Sequence, residues 1–131
     1  MQTSLTGGPG TTILVVDDDA LIALNVADQL VELGYTALEA YSGREALSLL
    51  GKHPEIRAIV TDYSMPLMTG VELAEAALAM RPDLLVLLTT GYADLPEGIA
   101  CTLPRLEKPF SEDQLAAKIA ELFSEPANAA Q

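Results

Sequence analysis

Three consecutive aspartates, Asp17, Asp18 and Asp19, directly follow the apolar segment at residues 13–16. Neighbouring like charges repel, by roughly 1 kcal/mol per pair at 4 Å in water and by about 4 kcal/mol near a protein surface. A bound divalent cation would relieve this repulsion, because Mg²⁺ prefers carboxylate and other oxygen ligands. The aspartates therefore indicate a cation site at the end of an apolar segment.

Other polar side chains also stand at the ends of apolar segments. Asp62 ends the segment 56–62, Thr89 and Thr90 end 84–90, and Lys108 follows a short segment near 105–107. If these segments are neighbouring strands of a parallel sheet, their carboxyl ends converge at one edge, where ligands bind in such folds. There a carboxylate could attack phosphorus, while Lys and Thr stabilise the phosphoryl oxygens by charge and hydrogen bonding.

The segments that must position these side chains alternate between strand and helix patterns. The apolar strand candidates are TILVV, YTALEA, IRAIVTD, LLVLLTT and PRLEKPF. Between them run helical patterns, the first with a predicted buried face of Ile22, Val26, Leu30 and Leu33 and an end at Gly34. Ser42 and Glu45 have the spacing of a capping box. This alternation predicts an α/β fold with a five-stranded, doubly wound parallel sheet.

Composition narrows the class of protein. The 131 residues are half apolar, which suits one domain with a substantial core. A net charge of −12, from 19 acidic and 7 basic residues, argues against binding to nucleic acid or to anionic membranes. The single Cys101 allows no internal disulfide, and the sequence shows neither a signal peptide nor a membrane-spanning segment. We therefore expect a cytoplasmic protein.

Four pieces of the chain together carry a resemblance to a known family. ILVVDDD, TDYSMPLMTGVEL, LLTTGY and EKPF occur in the order, and nearly at the spacing, of the receiver domain of bacterial two-component response regulators. The resemblance implies a flavodoxin-like (βα)5 fold with strand order 2-1-3-4-5. It covers residues 12–123 and leaves 1–11 and 124–131 as flexible tails.

The resemblance also implies a role for individual residues. Asp62 matches the phospho-accepting aspartate, Asp17 and Asp18 match the acidic pair that holds Mg²⁺, and Ser64 matches a position whose backbone carbonyl is a metal ligand. Asp19 matches a position that is often acidic but is not a ligand, so we expect it to cap a helix or form a turn.

Two further matches concern the response to phosphorylation. Thr90 matches the switch hydroxyl. Lys108 matches the lysine that pairs with the phosphoryl group, and the Lys–Pro peptide bond that follows it is usually cis in the family.

The chain departs from the family pattern at several positions. Arg105 stands where many receivers have a switch Tyr or Phe, and Thr69 replaces a common Asp. The interval from Thr90 to Lys108 is short, which predicts a shortened, irregular fourth-helix region. Residues 90–92, Thr-Gly-Tyr, are similar to the FAT GUY subgroup of receivers, so we expect Tyr92 to share the switch role and residues 93–103 to become ordered on phosphorylation or partner binding.

These observations favour a single-domain response regulator. It would accept a phosphoryl group on Asp62 from a histidine kinase or a histidine phosphotransfer protein with Mg²⁺, and would act on an unknown protein partner, as a relay or as a phosphate sink. It would be no enzyme beyond promoting its own phosphotransfer and dephosphorylation.

Two alternatives stay open at this point. One is a receiver-like binding module that is not phosphorylated, suggested by Arg105 and the short fourth-helix region. The other is a haloacid-dehalogenase-type phosphatase with Asp17 as nucleophile and Asp19 as acid–base, for which the chain looks too short and the usual Thr after the second acid is absent.

Overall fold

Strands and helices alternate from the first strand to the fourth, in a computed structural model that describes residues 10–91 and 103–124. The elements are β1 (Thr12–Val16), α1 (Ala20–Glu32), β2 (Thr36–Ala40), α2 (Gly43–Lys52), β3 (Ile56–Asp62), α3 (Gly70–Met80), β4 (Leu85–Thr90), β5 (Arg105–Glu107) and α4 (Glu112–Ser124). The predicted fourth-helix region, Tyr92 and the predicted tail residues 1–9 and 125–131 lie outside the described residues.

The strands form one sheet in the order β2-β1-β3-β4-β5, and every neighbouring pair is parallel. This confirms the predicted α/β fold and its strand order. Strands β1, β3 and β4 lie inside the sheet and are almost entirely buried. Their continuous apolar runs are explained by helices covering both faces of the sheet.

Alternate residues of β1 point to opposite faces and so divide the core in two. Ile13 and Val15 pack with α1 and α4, whereas Leu14 and Val16 pack with α2 and α3. Because the side-chain period of a strand is two, the run of four apolar residues supplies both layers.

The predicted buried face of α1 is partly wrong. Ile22 is exposed, and the residues that α1 buries are Ala23, Val26, Ala27 and Leu30. The two alanines allow the helix to lie close to the sheet, and this places Ile22 at the edge of the contact. The end of α1 follows the prediction: Gly34 has φ 103°, its N–H donates to the Val31 carbonyl, and the Tyr35 N–H donates to the Leu30 carbonyl.

The starts of α2 and α3 are capped in different ways. Ser42 Oγ accepts from the Glu45 N–H, as predicted, but the Glu45 carboxylate accepts from the Tyr41 N–H, one residue before the cap. The full reciprocal capping box occurs at α3, between Thr69 and Glu72. The Thr that replaces a common Asp therefore still serves as a helix cap.

Arg81 joins the end of α3 to the end of α2. Its guanidinium donates to the backbone carbonyls of Leu50, His53 and Ile56 at 2.6, 2.7 and 2.6 Å, and more weakly to that of Pro54. These carbonyls lie at the C-terminus of α2 and the start of β3, where helix carbonyls lack partners within the helix. None of the helices in the described part of the chain has the length and apolar character needed to cross a membrane.

Candidate functional site

Three carboxylates meet at the carboxyl edge of the sheet. Asp17 and Asp18 follow β1, and Asp62 ends the adjacent strand β3. One oxygen from each lies within 4.8 Å of the others. Asp17 and Asp62 are buried, at 4% and 6% exposure, while Asp18 is exposed. The sheet thus brings together the acids that the sequence predicted, although Asp62 is separated from the other two by more than forty residues.

Asp19 is directed away from this cluster into a helix cap. Its Oδ1 accepts hydrogen bonds from the N–H groups of Leu21 and Ile22 at 3.0 and 3.4 Å. Its own N–H donates to Asp17 Oδ1 at 2.9 Å, which helps to fix the Asp17 side chain. This confirms the prediction that the third aspartate is a capping residue.

Lys108 is the cation that faces the acids. Its Nζ lies 3.0 Å from Asp62 Oδ1 and 3.7 Å from Asp17 Oδ2. The Lys108 N–H donates to the Thr90 carbonyl at 2.8 Å, which holds the end of β5 beside the end of β4. The peptide bond between Lys108 and Pro109 is cis, as the resemblance implied.

Burial and charge shift the pKa values of this group. Burial raises the pKa of Asp17, and the nearby charges of Asp62 and Asp18 act in the same direction, against the Asp19 hydrogen bond and Lys108. Burial alone would lower the pKa of Lys108, but its hydrogen bond to Asp62 and the charges of Asp62 and Asp17 outweigh it, so this pKa is raised. The ammonium of Lys108 is therefore stabilised in its charged form, whereas burial makes the ionised form of Asp17 less favourable than that of an exposed aspartate.

The backbone of Asp62 is held from several sides. Thr61 Oγ1 donates to the Asp62 carbonyl at 3.1 Å, and the Tyr63 N–H donates to the Thr89 carbonyl at 2.9 Å. The first residue of α3, Gly70, packs so closely that a Cβ built there would lie 2.3 Å from the Asp62 carbonyl oxygen. The sequence-based reasoning missed Gly70; its only signal was a glycine placed directly after the helix cap.

The other predicted site residues occupy different surroundings. Thr90 is buried at the end of β4, one residue past Thr89, the register partner of Asp62. Ser64 is exposed, two residues after Asp62, and Arg105 is exposed at the start of β5. Tyr92 lies outside the described residues.

The acids suit a hard divalent cation. Three carboxylates face one ammonium, which leaves an excess of negative charge for a cation to balance. Carboxylate oxygens are the ligands that Mg²⁺ prefers in proteins. Since one oxygen of each acid lies within 4.8 Å of the others, the set fits a Mg²⁺ ion that these acids would hold.

Comparison with known proteins assigns the family. The family model described as "Response regulator receiver domain" matches residues 13–120. The chain belongs to this family, and the match covers 108 of the 131 residues. Its acidic pocket of Asp17, Asp18 and Asp62 is the pocket for phosphoryl acceptance in a two-component signalling protein, not the active site of a classical enzyme.

Individual relatives agree with this assignment. A chemotaxis protein CheY homolog from Campylobacter jejuni is 30% identical over 118 residues, which cover 85% of this chain and 91% of the relative. The sensor kinase CckA of Brucella abortus is 34% identical over 128 residues, or 92% of this chain, but the chain spans only 13% of that kinase.

Solved structures show the same fold. A response regulator receiver domain protein from Clostridium thermocellum superposes with a TM-score of 0.82 at 26% identity, covering 91% of this chain and 98% of that one. The chemotaxis protein CheY4 of Vibrio cholerae gives a TM-score of 0.78 at 29% identity, covering 86% and 98% of the two chains.

Proposed function

We propose that Asp62 accepts a phosphoryl group from a phosphohistidine of a histidine kinase or a histidine phosphotransfer protein. The observation that carries this proposal is the contact of Lys108 Nζ with the Asp62 carboxylate at 3.0 Å, within a group of three acids. Of these acids, Asp62 lies closest to the cation that would meet an incoming phosphoryl group.

In the proposed transfer, a carboxylate oxygen of Asp62 attacks phosphorus, and the bond between phosphorus and the imidazole nitrogen breaks. The donor histidine takes up a proton and leaves as neutral imidazole, and Asp62 becomes an acyl phosphate. Lys108 places its positive charge against the phosphoryl oxygens, where such stabilisation is most effective. A Mg²⁺ held by Asp17, Asp18, Asp62 and the Ser64 carbonyl would add positive charge on the same oxygens.

Thr90 is proposed to sense the phosphoryl group. Its hydroxyl would donate to a phosphoryl oxygen, and its carbonyl already accepts from the Lys108 N–H. A shift of Thr90 would therefore reach the ends of β4 and β5 together and change the population of a partner-binding state. Arg105, exposed on β5, would contact that partner through its charge. The sharing of this role by Tyr92, as in the FAT GUY subgroup, rests on residues 90–92 of the sequence alone.

The phosphoryl donor is proposed to dock along α1. This helix begins next to the acidic pocket and exposes Leu21, Leu24 and Val31 on one side, with exposures of 76, 46 and 56%. Because α1 begins just after Asp17 and Asp18, this apolar strip lies beside the pocket and is in position to contact the protein that carries the histidine. Phosphorylation of Asp62 would then have one of three consequences. It would change a protein–protein interaction, pass the phosphoryl group on to a further histidine, or remove phosphoryl groups from the pathway so that the protein acts as a phosphate sink.

To test this proposal, the protein is incubated with Mg²⁺ and a small phosphodonor, and its intact mass is then measured by mass spectrometry. We expect the wild type and a Lys52→Ala control to gain the mass of one phosphoryl group and Asp62→Asn to gain none. Equal labelling of Asp62→Asn would contradict the proposal. Steady phosphate release that is lost in Asp17→Asn would instead indicate the phosphatase, and no labelling even by a cognate kinase would indicate an unphosphorylated binding module.

A further inference from the structure

A groove opens beside the loop that follows Asp62, on the face of the domain opposite α1. It has a volume of about 300 Å³ and lies between the β2–α2 turn and the β3–α3 loop. We call it the Leu67 groove, and the residues that line it are Ser42, Gly43, Arg44, Pro66, Leu67 and Met68.

Leu67 has a backbone conformation that is unfavourable for leucine. Its side chain is fully exposed, and its φ of 72° makes it the one non-glycine residue with positive φ in the described part of the chain. The Met68 N–H donates to the Pro66 carbonyl at 2.7 Å, which closes a three-residue γ-turn with Leu67 at its tip. This hand of γ-turn is rare and strained. Leucine therefore gains no burial here and adopts a backbone that glycine would adopt more easily.

The chain is packed against the domain on both sides of this tip. Met65 is buried before the turn, and Met68 packs after it against Gly43, where an added Cβ would lie 2.5 Å from the Met68 sulfur. A surface that is already ordered loses little entropy when a partner binds. The strained turn thus presents Leu67 beside a preformed cleft.

Arg44 supplies a charge on the rim. It is exposed, and no carboxylate of the described residues lies within ion-pair distance of it. The nearby acids Glu39 and Glu45 both accept hydrogen bonds from Tyr41, through its hydroxyl and its N–H. The rim therefore offers one unpaired positive charge next to an apolar cleft on an otherwise acidic protein.

We propose that the Leu67 groove binds a segment of another protein that carries an apolar side chain close to a carboxylate. The apolar side chain would lie against Leu67 and Met68, and the carboxylate would pair with Arg44. A second copy of this chain is a poorer fit, because two molecules of net charge −12 repel each other. The groove is separate from the α1 strip, and it would bind the unphosphorylated chain, so its test does not depend on the proposed phosphoryl transfer.

The test is an NMR titration of the unphosphorylated protein with three blocked peptides of about ten residues. The first carries one leucine near one aspartate, the second replaces the leucine with alanine, and the third replaces the aspartate with asparagine. We expect saturable shifts of the amides of Gly43, Arg44 and Met68, with binding about tenfold weaker for the alanine peptide and about threefold weaker for the asparagine peptide.

Variants of the protein complete the test. Leu67→Gly should weaken binding of the first peptide about tenfold without lowering the melting temperature, whereas Met80→Ala, at another exposed apolar residue, should leave binding unchanged. Arg44→Gln should abolish the difference between the aspartate and asparagine peptides, and Lys52→Gln should preserve it. The proposal would be overturned by the absence of saturable shifts at these amides, by unchanged binding in Leu67→Gly, or by a dimer that Leu67→Gly dissociates.

Discussion

Replacing Gly70 with alanine should disturb the phosphoacceptor through its backbone. The added Cβ would lie 2.3 Å from the Asp62 carbonyl oxygen and 2.9 Å from a methyl carbon of Leu88. Real Cβ atoms essentially never approach closer than 3.0 Å, so the end of β3 or the start of α3 must move by about 0.7 Å. The obstacle is the backbone at the end of the central strand β3, which cannot rotate away as a side chain can.

The size of the effect follows from two opposing contributions. Overpacking of this kind costs about 1–3 kcal/mol. Alanine in place of glycine favours a helix by at most about 1 kcal/mol, and by less at the first helical position. We expect a net loss of about 1–2 kcal/mol, which lowers the melting temperature by roughly 4–8 °C. Because a misplacement of about 1 Å can slow a reaction 10²-fold, phosphorylation of Asp62 should slow by roughly tenfold or more.

Gly51→Ala is the matched control, because Gly51 lies exposed in α2 with no atom within 4 Å of the added Cβ. This change should raise stability by about 0.5–1 kcal/mol and leave the phosphorylation rate unchanged. Thermal unfolding by circular dichroism and initial rates of phosphoprotein formation, taken well below both melting temperatures, measure the two effects. If Gly70→Ala proved as stable as Gly51→Ala and reacted at the wild-type rate, the reasoning about the Asp62 backbone would be refuted.

Three further predictions concern the same framework. Arg81→Lys should lower the free energy of unfolding by about 2–3 kcal/mol in a denaturant titration, because a lysine cannot donate to the carbonyls of both α2 and β3. The control Arg44→Lys should leave the free energy of unfolding unchanged. Equal stabilities of the two variants would contradict the role of the guanidinium. Thr69→Ala should cost about 1 kcal/mol through loss of the α3 cap, and Thr69→Ser should restore most of it. Asp17→Asn should raise the melting temperature at neutral pH in metal-free buffer. The raised pKa means that the folded state binds this proton more tightly than the unfolded chain, so the Asp17 carboxyl favours folding less as the pH rises above its ordinary pKa of 3.8. The gain should shrink as the pH falls toward that value, and a gain that is independent of pH would contradict the assignment.

The sheet and its acidic edge could be predicted from the sequence because their signals are local. Runs such as residues 13–16 and 84–90 are apolar enough to be buried on both faces; Asp17 directly follows the first run, and Thr89 and Thr90 end the second. Once the strands are taken as neighbours in a parallel sheet, Asp17, Asp62 and Lys108 must meet at one edge.

Features that depend on distances between elements were beyond such reasoning. The face of α1 was misjudged at Ile22 because helical spacing does not reveal that Ala23 and Ala27 bring the helix close to the sheet. The approach of Gly70 to Asp62 and the bonds from Arg81 to α2 join parts of the chain that no sequence motif links. The left-handed turn at Leu67 runs against the preference of its own residue type, so no propensity could have indicated it.

The central claim is that Asp62, and neither Asp17 nor Asp18, becomes the acyl phosphate. The most direct measurement is to phosphorylate the wild-type chain with Mg²⁺ and a small phosphodonor, reduce the acyl phosphate with borohydride, and locate the resulting homoserine by peptide mass spectrometry. We predict one modified residue per chain, at position 62, and none when Mg²⁺ is removed by chelation. Modification at position 17 or 18, or modification that does not require Mg²⁺, would contradict this account of the site.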